Sequence, residues 1–338
     1  MLKKWAAMLL CLIAAVNVSG CSNNNQESAS ATAAGESSKA ESSAEQTSAE
    51  QETRIKVTVT FDAMKEFVAA VGQDKVEIST VIPAGTEAHD FEPKAQDLAG
   101  ISAAKVFVYN GLGMEGWVEE AVSAVNNTEL IVVEASKGAD FIEREAASDD
   151  HEEEADHEEG EDEDSHGKYD PHLWLSLKGA QTEVKNIKDA LVQADPDNKE
   201  YYEKNSSDYI SRLESLYNEY NGKFQSAEKK TFVTGHAAFG YLCRDFGLEQ
   251  NSVRDIFAEG EPSAQQLAQL VEYCRENNVT TIFAEEMVSP AVSQTLANEV
   301  GAAVETAYTM ESAQDDLTYL ERMESNLSKI YNSLTGNS

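Results

Sequence analysis

From Arg54 onward the chain alternates short β-branched runs with amphipathic stretches, and it does so twice, on either side of one long run without proline. In the first series residues 55–60, 76–82, 106–109 and 130–133 read as strands, and 61–71, 94–104 and 114–125 as helices. In the second series the strands are 230–233, 250–253, 280–283 and 302–307, and the helices 237–246, 263–277, 290–299 and 313–334, with Ser263 placed to cap its helix. Short strands separated by helices of ten or more residues need crossover connections, so they build parallel sheets. Residues 179–194 also read as helical. The proline-free run, 197–227, repeats Tyr202, Tyr209, Leu213, Leu216 and Tyr220 at helical spacing. At about 1.5 Å per residue it spans about 45 Å. The expected fold is α/β, with two mainly parallel lobes joined by one long helix.

The ends and interruptions of this pattern carry separate information. Lys3 and Lys4 precede an apolar stretch, residues 5–16, too short to span a bilayer, and Val18-Ser19-Gly20-Cys21 follows. A cysteine at the first mature position resembles the lipobox of bacterial lipoproteins, in which Cys21 would receive the lipid. Buried acyl methylenes contribute roughly 0.8 kcal/mol each, so several chains hold firmly. Residues 22–53 are polar, with no aromatic side chain, and read as a flexible stalk. Residues 143–164 hold 14 acids and one arginine, with His151, His157 and the adjoining His166 interspersed. That composition reads as a surface loop. The organisation expected is therefore a signal peptide over 1–20, a stalk over 21–53, a first lobe over 54–177 carrying the acidic loop 143–166, a helical connector over 178–227 and a second lobe over 228–338. The whole chain carries 26 basic against 61 acidic side chains, a net charge of −35. Without a basic stripe, nucleic acid is not an expected partner.

Three histidines lie outside the acidic loop. His89 sits in Gly85-Thr-Glu-Ala-His-Asp-Phe-Glu-Pro93, His172 in Asp170-Pro-His-Leu-Trp-Leu-Ser176, and His236 in Phe232-Val-Thr-Gly-His-Ala-Ala-Phe-Gly-Tyr241. Each falls at or near a predicted strand end, where open α/β sheets bind ligands. Imidazole suits zinc and other transition metals. The spacing matches no compact zinc finger, so spacing alone is weak evidence and favours unrelated structural or surface histidines.

The three motifs together, in this order, resemble the zinc/manganese class of ABC-transporter substrate-binding lipoproteins, over about residues 54–334. The resemblance implies a metal site in the cleft between the lobes with His89, His172 and His236 as ligands. It implies a carboxylate as the fourth, expected as Glu311, with Glu285, Glu286 and Glu87 as the alternatives. Glu285 is expected more as a support behind a histidine. Relatives that prefer manganese carry a carboxylate where this chain has His236, so Zn²⁺ is the expected metal and Mn²⁺ the alternative. The acidic loop resembles the metal-rich loop of zinc members, in which His151, His157 and His166 would collect cations weakly; a solvated spacer is the other reading.

The function implied is capture of Zn²⁺ outside the cytoplasm by a lipid-anchored monomer, and its delivery to an ABC permease. A surface adhesin and a zinc hydrolase are the competing classes. No His-Glu-x-x-His motif is present, so an enzyme is not expected. Cys243 and Cys274 fall in two helices of the second half, where an exported protein permits either a disulfide or two buried thiols.

Overall fold

In the computed structural model, residues 54–144, 167–256, 262–285, 291–313 and 315–336 are described. β1 (Ile55–Val59), β2 (Val76–Thr80), β3 (Val106–Tyr109) and β4 (Ile131–Glu134) form one sheet in the order β2-β1-β3-β4, parallel throughout. β5 (Thr231–Thr234), β6 (Glu249–Ser252), β7 (Thr281–Glu285) and β8 (Ala303–Ala307) repeat that order as β6-β5-β7-β8, again parallel. In both sheets the chain leaves the first strand towards one edge and returns towards the other. The loops therefore part at the carboxyl ends of β1 and β3, and of β5 and β7, which opens a crevice there.

The helices follow the apolar spacing. In α1 (Asp62–Gly72), Met64, Phe67, Val68 and Val71 form one buried face. α2 (Ala95–Ser102) and α3 (Val118–Val125) complete the first lobe. α4 (Leu177–Ala194) starts at Ser176, whose Oγ accepts from the amides of Lys178 and Gly179 at 3.2 and 2.8 Å. α6 (Gly240–Phe246), α7 (Ala264–Glu276), α8 (Ala291–Val300) and α9 (Tyr319–Thr335) belong to the second sheet's half. Ser263 caps α7 as expected, accepting from the Gln266 amide while Gln266 Oε1 accepts from the Ser263 amide.

α5 (Lys199–Ser226) is the long helix, 28 residues or about 42 Å. It packs against α1 and α4 and also against α6 and α9, so it touches both lobes. The core is correspondingly continuous: Phe67, Trp174, Leu213, Phe224, Phe232 and Met323 belong to one cluster of buried side chains. Polar bonds stitch the same seam. Trp174 Nε1 donates to the Thr309 carbonyl at 2.6 Å, and Tyr319 Oη donates to the Trp174 carbonyl at 2.6 Å. The amides of Asp62 and Ala63, at the start of α1, donate to the carbonyls of Glu311 and Met310 beyond β8. Buried Arg322 of α9 reaches Asp62 Oδ2 at 2.6 Å and Asp315 Oδ1 at 2.9 Å.

The two-cysteine disulfide is not formed. Cys243 and Cys274 are both free and buried. Cys243 packs in the cluster that holds Phe232 and Phe283, Cys274 in the one that holds Val233 and Ile282. Adjacent residues of a strand face opposite sides, so the second sheet stands between the two sulfurs, which puts them beyond disulfide reach. Burial raises both thiols, that of Cys274 to about 11. Among the described residues, no helix is long and apolar enough to cross a membrane.

Candidate metal centre

All the histidines of interest sit beyond strand ends of the two sheets. His89 lies in the loop between β2 and α2, His172 just before the 3₁₀ turn Leu173–Leu175, and His236 two residues past β5. Their ligand nitrogens lie within 4.8 Å of one another. His89 Nε2 and His172 Nε2 are 3.2 Å apart. Two ligands on a tetrahedral zinc at about 2.05 Å stand about 3.3 Å from each other. Two imidazole nitrogens at this separation can hold one shared proton or one cation.

The ring behind each buried ligand is fixed by an oxygen. His172 Nδ1 donates to Asp170 Oδ1 at 2.8 Å, and the His172 amide donates to the same oxygen at 3.0 Å. The proton thus sits on Nδ1, and the Nε2 lone pair faces His89. Asp170 is held in turn, since Tyr241 Oη donates to its carbonyl at 2.7 Å and its Oδ2 would lie only 2.6 Å from a Cβ at Gly240. The glycine of the His236 motif therefore makes room for the acid that orients His172. His236 Nε2 donates to the Ile256 carbonyl at 2.7 Å, which holds the ring in place. Burial, and next the neighbouring His172, lower the His236 imidazole to about 3, so it is neutral at ordinary pH.

Glu285, the last residue of β7, holds the backbone of the His236 turn. Its Oε1 accepts from the amides of Gly235 and His236, each at 3.0 Å. A Cβ on Gly235 would stand 2.4 Å from Glu285 Oε2, so only glycine admits this buried carboxylate. Glu311 is buried beyond β8 and comes within 4.8 Å of His89 together with Glu87. The structure thus gives two triplets sharing His89, and it puts Glu87 on the same footing as Glu311. The His89 loop is tied to the opposite lobe, because the Gly85 amide donates to Ser312 Oγ at 2.8 Å. Gly85 has φ of +84°, which glycine adopts without strain. Larger surface cavities, of about 620 and 410 Å³, lie elsewhere around Arg54 and around Glu66.

Asp170 and Asn110 are the residues around His172 to which motif reading gave no role. Asn110 Nδ2 donates to the Pro171 carbonyl at 2.9 Å, next to His172. An acid two residues before a ligand histidine was the available signal for Asp170; nothing local marked Asn110. Cys21, His151, His157, His166 and Glu286 lie outside the described residues. The edges of the acidic loop are described: Glu143 bridges Tyr169 antiparallel, and Lys168 Nζ lies 3.1 Å from Glu143.

Comparison with known proteins agrees with this architecture. The family described as zinc-uptake complex component A, periplasmic, matches residues 57–333, and the chain belongs to it. It is 39% identical over 339 residues to the high-affinity zinc uptake system protein ZnuA of Bacillus subtilis, covering 99% of each chain. Among solved structures it resembles the Zn(II)-bound ZnuA-like domain of Streptococcus pneumoniae AdcA, with a TM-score of 0.69 and 32% identity, covering 83% of this chain and 99% of that one. It also resembles the laminin-binding protein Lmb of Streptococcus agalactiae, described as bifunctional in adhesion and metal transport, with a TM-score of 0.71 and 33% identity, covering 83% and 99%.

Proposed function

We propose that this chain captures Zn²⁺ outside the cytoplasm and delivers it to an ABC permease, held at the membrane by lipid on Cys21 and acting as a monomer. The observation that carries the reading is the pair of imidazole nitrogens 3.2 Å apart, one braced by Asp170, with a third imidazole within ligand reach. His89, His172 and His236 bind the cargo, and Glu311 supplies an oxygen from the second lobe. Nitrogen donors favour zinc over manganese, which prefers oxygen. The family's role as a solute-binding component of uptake systems supports binding over catalysis. The acidic loop, whose base lies next to Asp170, concentrates cations beside the site through His151, His157 and His166.

Metal analysis and chelator competition on the purified chain test this. One tight zinc per chain is expected, displacing bound manganese, and His236→Ala should weaken it by orders of magnitude. Equal affinity in the variant would remove His236 from the site. Adhesion is a second reading, favoured by the likeness to Lmb; metal-independent attachment to immobilised laminin would support it.

A further inference from the structure

The second triplet contains an oxygen that the zinc seat leaves unused. Glu87 Oε1 is shielded from solvent and has no hydrogen-bond partner. A carboxylate oxygen withdrawn from water without a donor is unfavourable. A cation would satisfy it, and the other donors are at hand: Glu87, His89 and Glu311 bring ligand atoms within 4.8 Å of one another. The two triplets also differ in depth. His172 and His236 are buried, whereas Glu87 and His89 are half-buried. Glu311 lines a cavity of about 260 Å³ that also borders Pro83 and Ala84, at the start of the His89 loop.

We propose that Glu87 is a capture ligand for the divalent cation. An incoming cation first exchanges hydration waters for oxygens of Glu87 and Glu311 and a nitrogen of His89. It then releases Glu87 as it gains His172 and His236, and stays bound to His89 throughout. Carboxylate oxygens suit a partly hydrated cation, and imidazoles suit the final zinc seat. Any proton shared between His89 and His172 leaves to solvent when the cation takes its place. This inference rests on the reading that the three imidazoles seat zinc, and it adds a path into that seat.

The test is stopped-flow exchange of Zn²⁺ between a chromophoric chelator and the full chain, with His236→Ala, Glu87→Gln and Glu87→Asp beside the wild type. A transit ligand lowers the same barrier in both directions. Glu87→Gln should therefore slow association and dissociation together, by roughly tenfold, the scale on which residues near a metal ligand act. The ratio of the two rates should stay within about threefold. Glu87→Asp, which withdraws the oxygen but keeps the charge, should slow both rates too, and it preserves the test should the glutamine variant unfold. Unchanged rates would overturn the proposal. So would slower association alone, which is lost attraction, or faster dissociation with tenfold weaker binding, which is a permanent ligand. If the wild type holds no zinc that His236→Ala loses, the reading of the seat itself fails. If it does and Glu87→Gln behaves as wild type, only the capture role fails.

Discussion

Replacing Asp170 by Asn isolates the contribution of orientation to metal binding. The substitution keeps the shape beside Gly240 and leaves an oxygen for His172 Nδ1, now 2.8 Å from a carboxylate. It removes the negative charge that fixes the Nδ1–H tautomer and makes Nε2 more basic. Partners of this kind contribute about 10–100-fold in metal affinity, or about 1–3 kcal/mol. Take a loss near thirtyfold. At free zinc a thousandfold above the wild-type Kd, binding stabilises the wild type by about 4 kcal/mol and the variant by about 2 kcal/mol. For a chain of this size that difference lowers the zinc-loaded Tm by about 3 °C. Calorimetry at fixed, buffered free zinc reads it, and chelator competition gives the affinity directly. A variant with wild-type affinity and the same zinc-induced rise in Tm would show that Asp170 does not orient His172 for metal.

Three further outcomes follow. Glu183 of α4 is fully buried with neither carboxyl oxygen bonded, and burial, then Glu115, raise it well above its ordinary value. The folded state thus holds a proton that the unfolded chain releases near pH 4.5, so wild-type stability falls as pH rises from there; Glu183→Gln should flatten that fall in urea titrations above about pH 5, and parallel curves would refute it. Because His236 is neutral down to about pH 3, proton competition at that ligand begins well below the imidazole range, and a zinc affinity whose loss between pH 6.5 and 5 is abolished by His236→Gln would contradict this. Deleting residues 143–166 should leave one tight zinc and lose several weak ones in equilibrium dialysis; loss of the tight zinc would place a core ligand in the loop.

Most strand positions and the long helix were legible because β-branched runs and helical spacing survive burial unchanged. The misplaced boundaries cluster at the site. Residues 114–117 read as helix, but α3 starts at Val118, because Glu115 spends its carboxylate on Thr60 Oγ1 and the amides of Asn110 and Gly111. Burial raises that carboxyl to about 7, against these bonds. Residues 237–239 read as helix, but Gly235 and His236 are drawn to Glu285, and α6 starts at Gly240. Residues 313–318 read as helix, but Thr318 caps α9, and Asp315 turns back to Arg322. In each case side-chain bonds to backbone or to a second side chain override helical propensity; those of Glu115 to Thr60 and of Glu285 to Gly235 and His236 join residues about 50 positions apart, which no local window contains. The histidines were legible as motifs, while their ring orientations, set by Asp170 and Ile256, needed the fold.

The geometry also decides where motion on metal binding belongs. One pair of ligand nitrogens already stands 3.2 Å apart and the others lie within 4.8 Å, so closing to about 3.3 Å needs a contraction of at most about 1.5 Å. Rotation of one lobe against the other would have to disrupt the continuous core, the Trp174–Thr309 and Tyr319–Trp174 bonds, and the buried Arg322–Asp62 pair. Breaking that last pair alone would cost about 3–5 kcal/mol. The His89 loop is less buried: His89 and Glu87 are half-buried, and the Gly85 amide ties the loop to Ser312 across the cleft. A contraction this small is therefore taken up by the loop and by side-chain torsions, since the buried imidazoles are braced and the lobes are locked. On the proposed reading, the braced rings of His172 and His236 set the seat, and the half-buried His89 loop sets access to it.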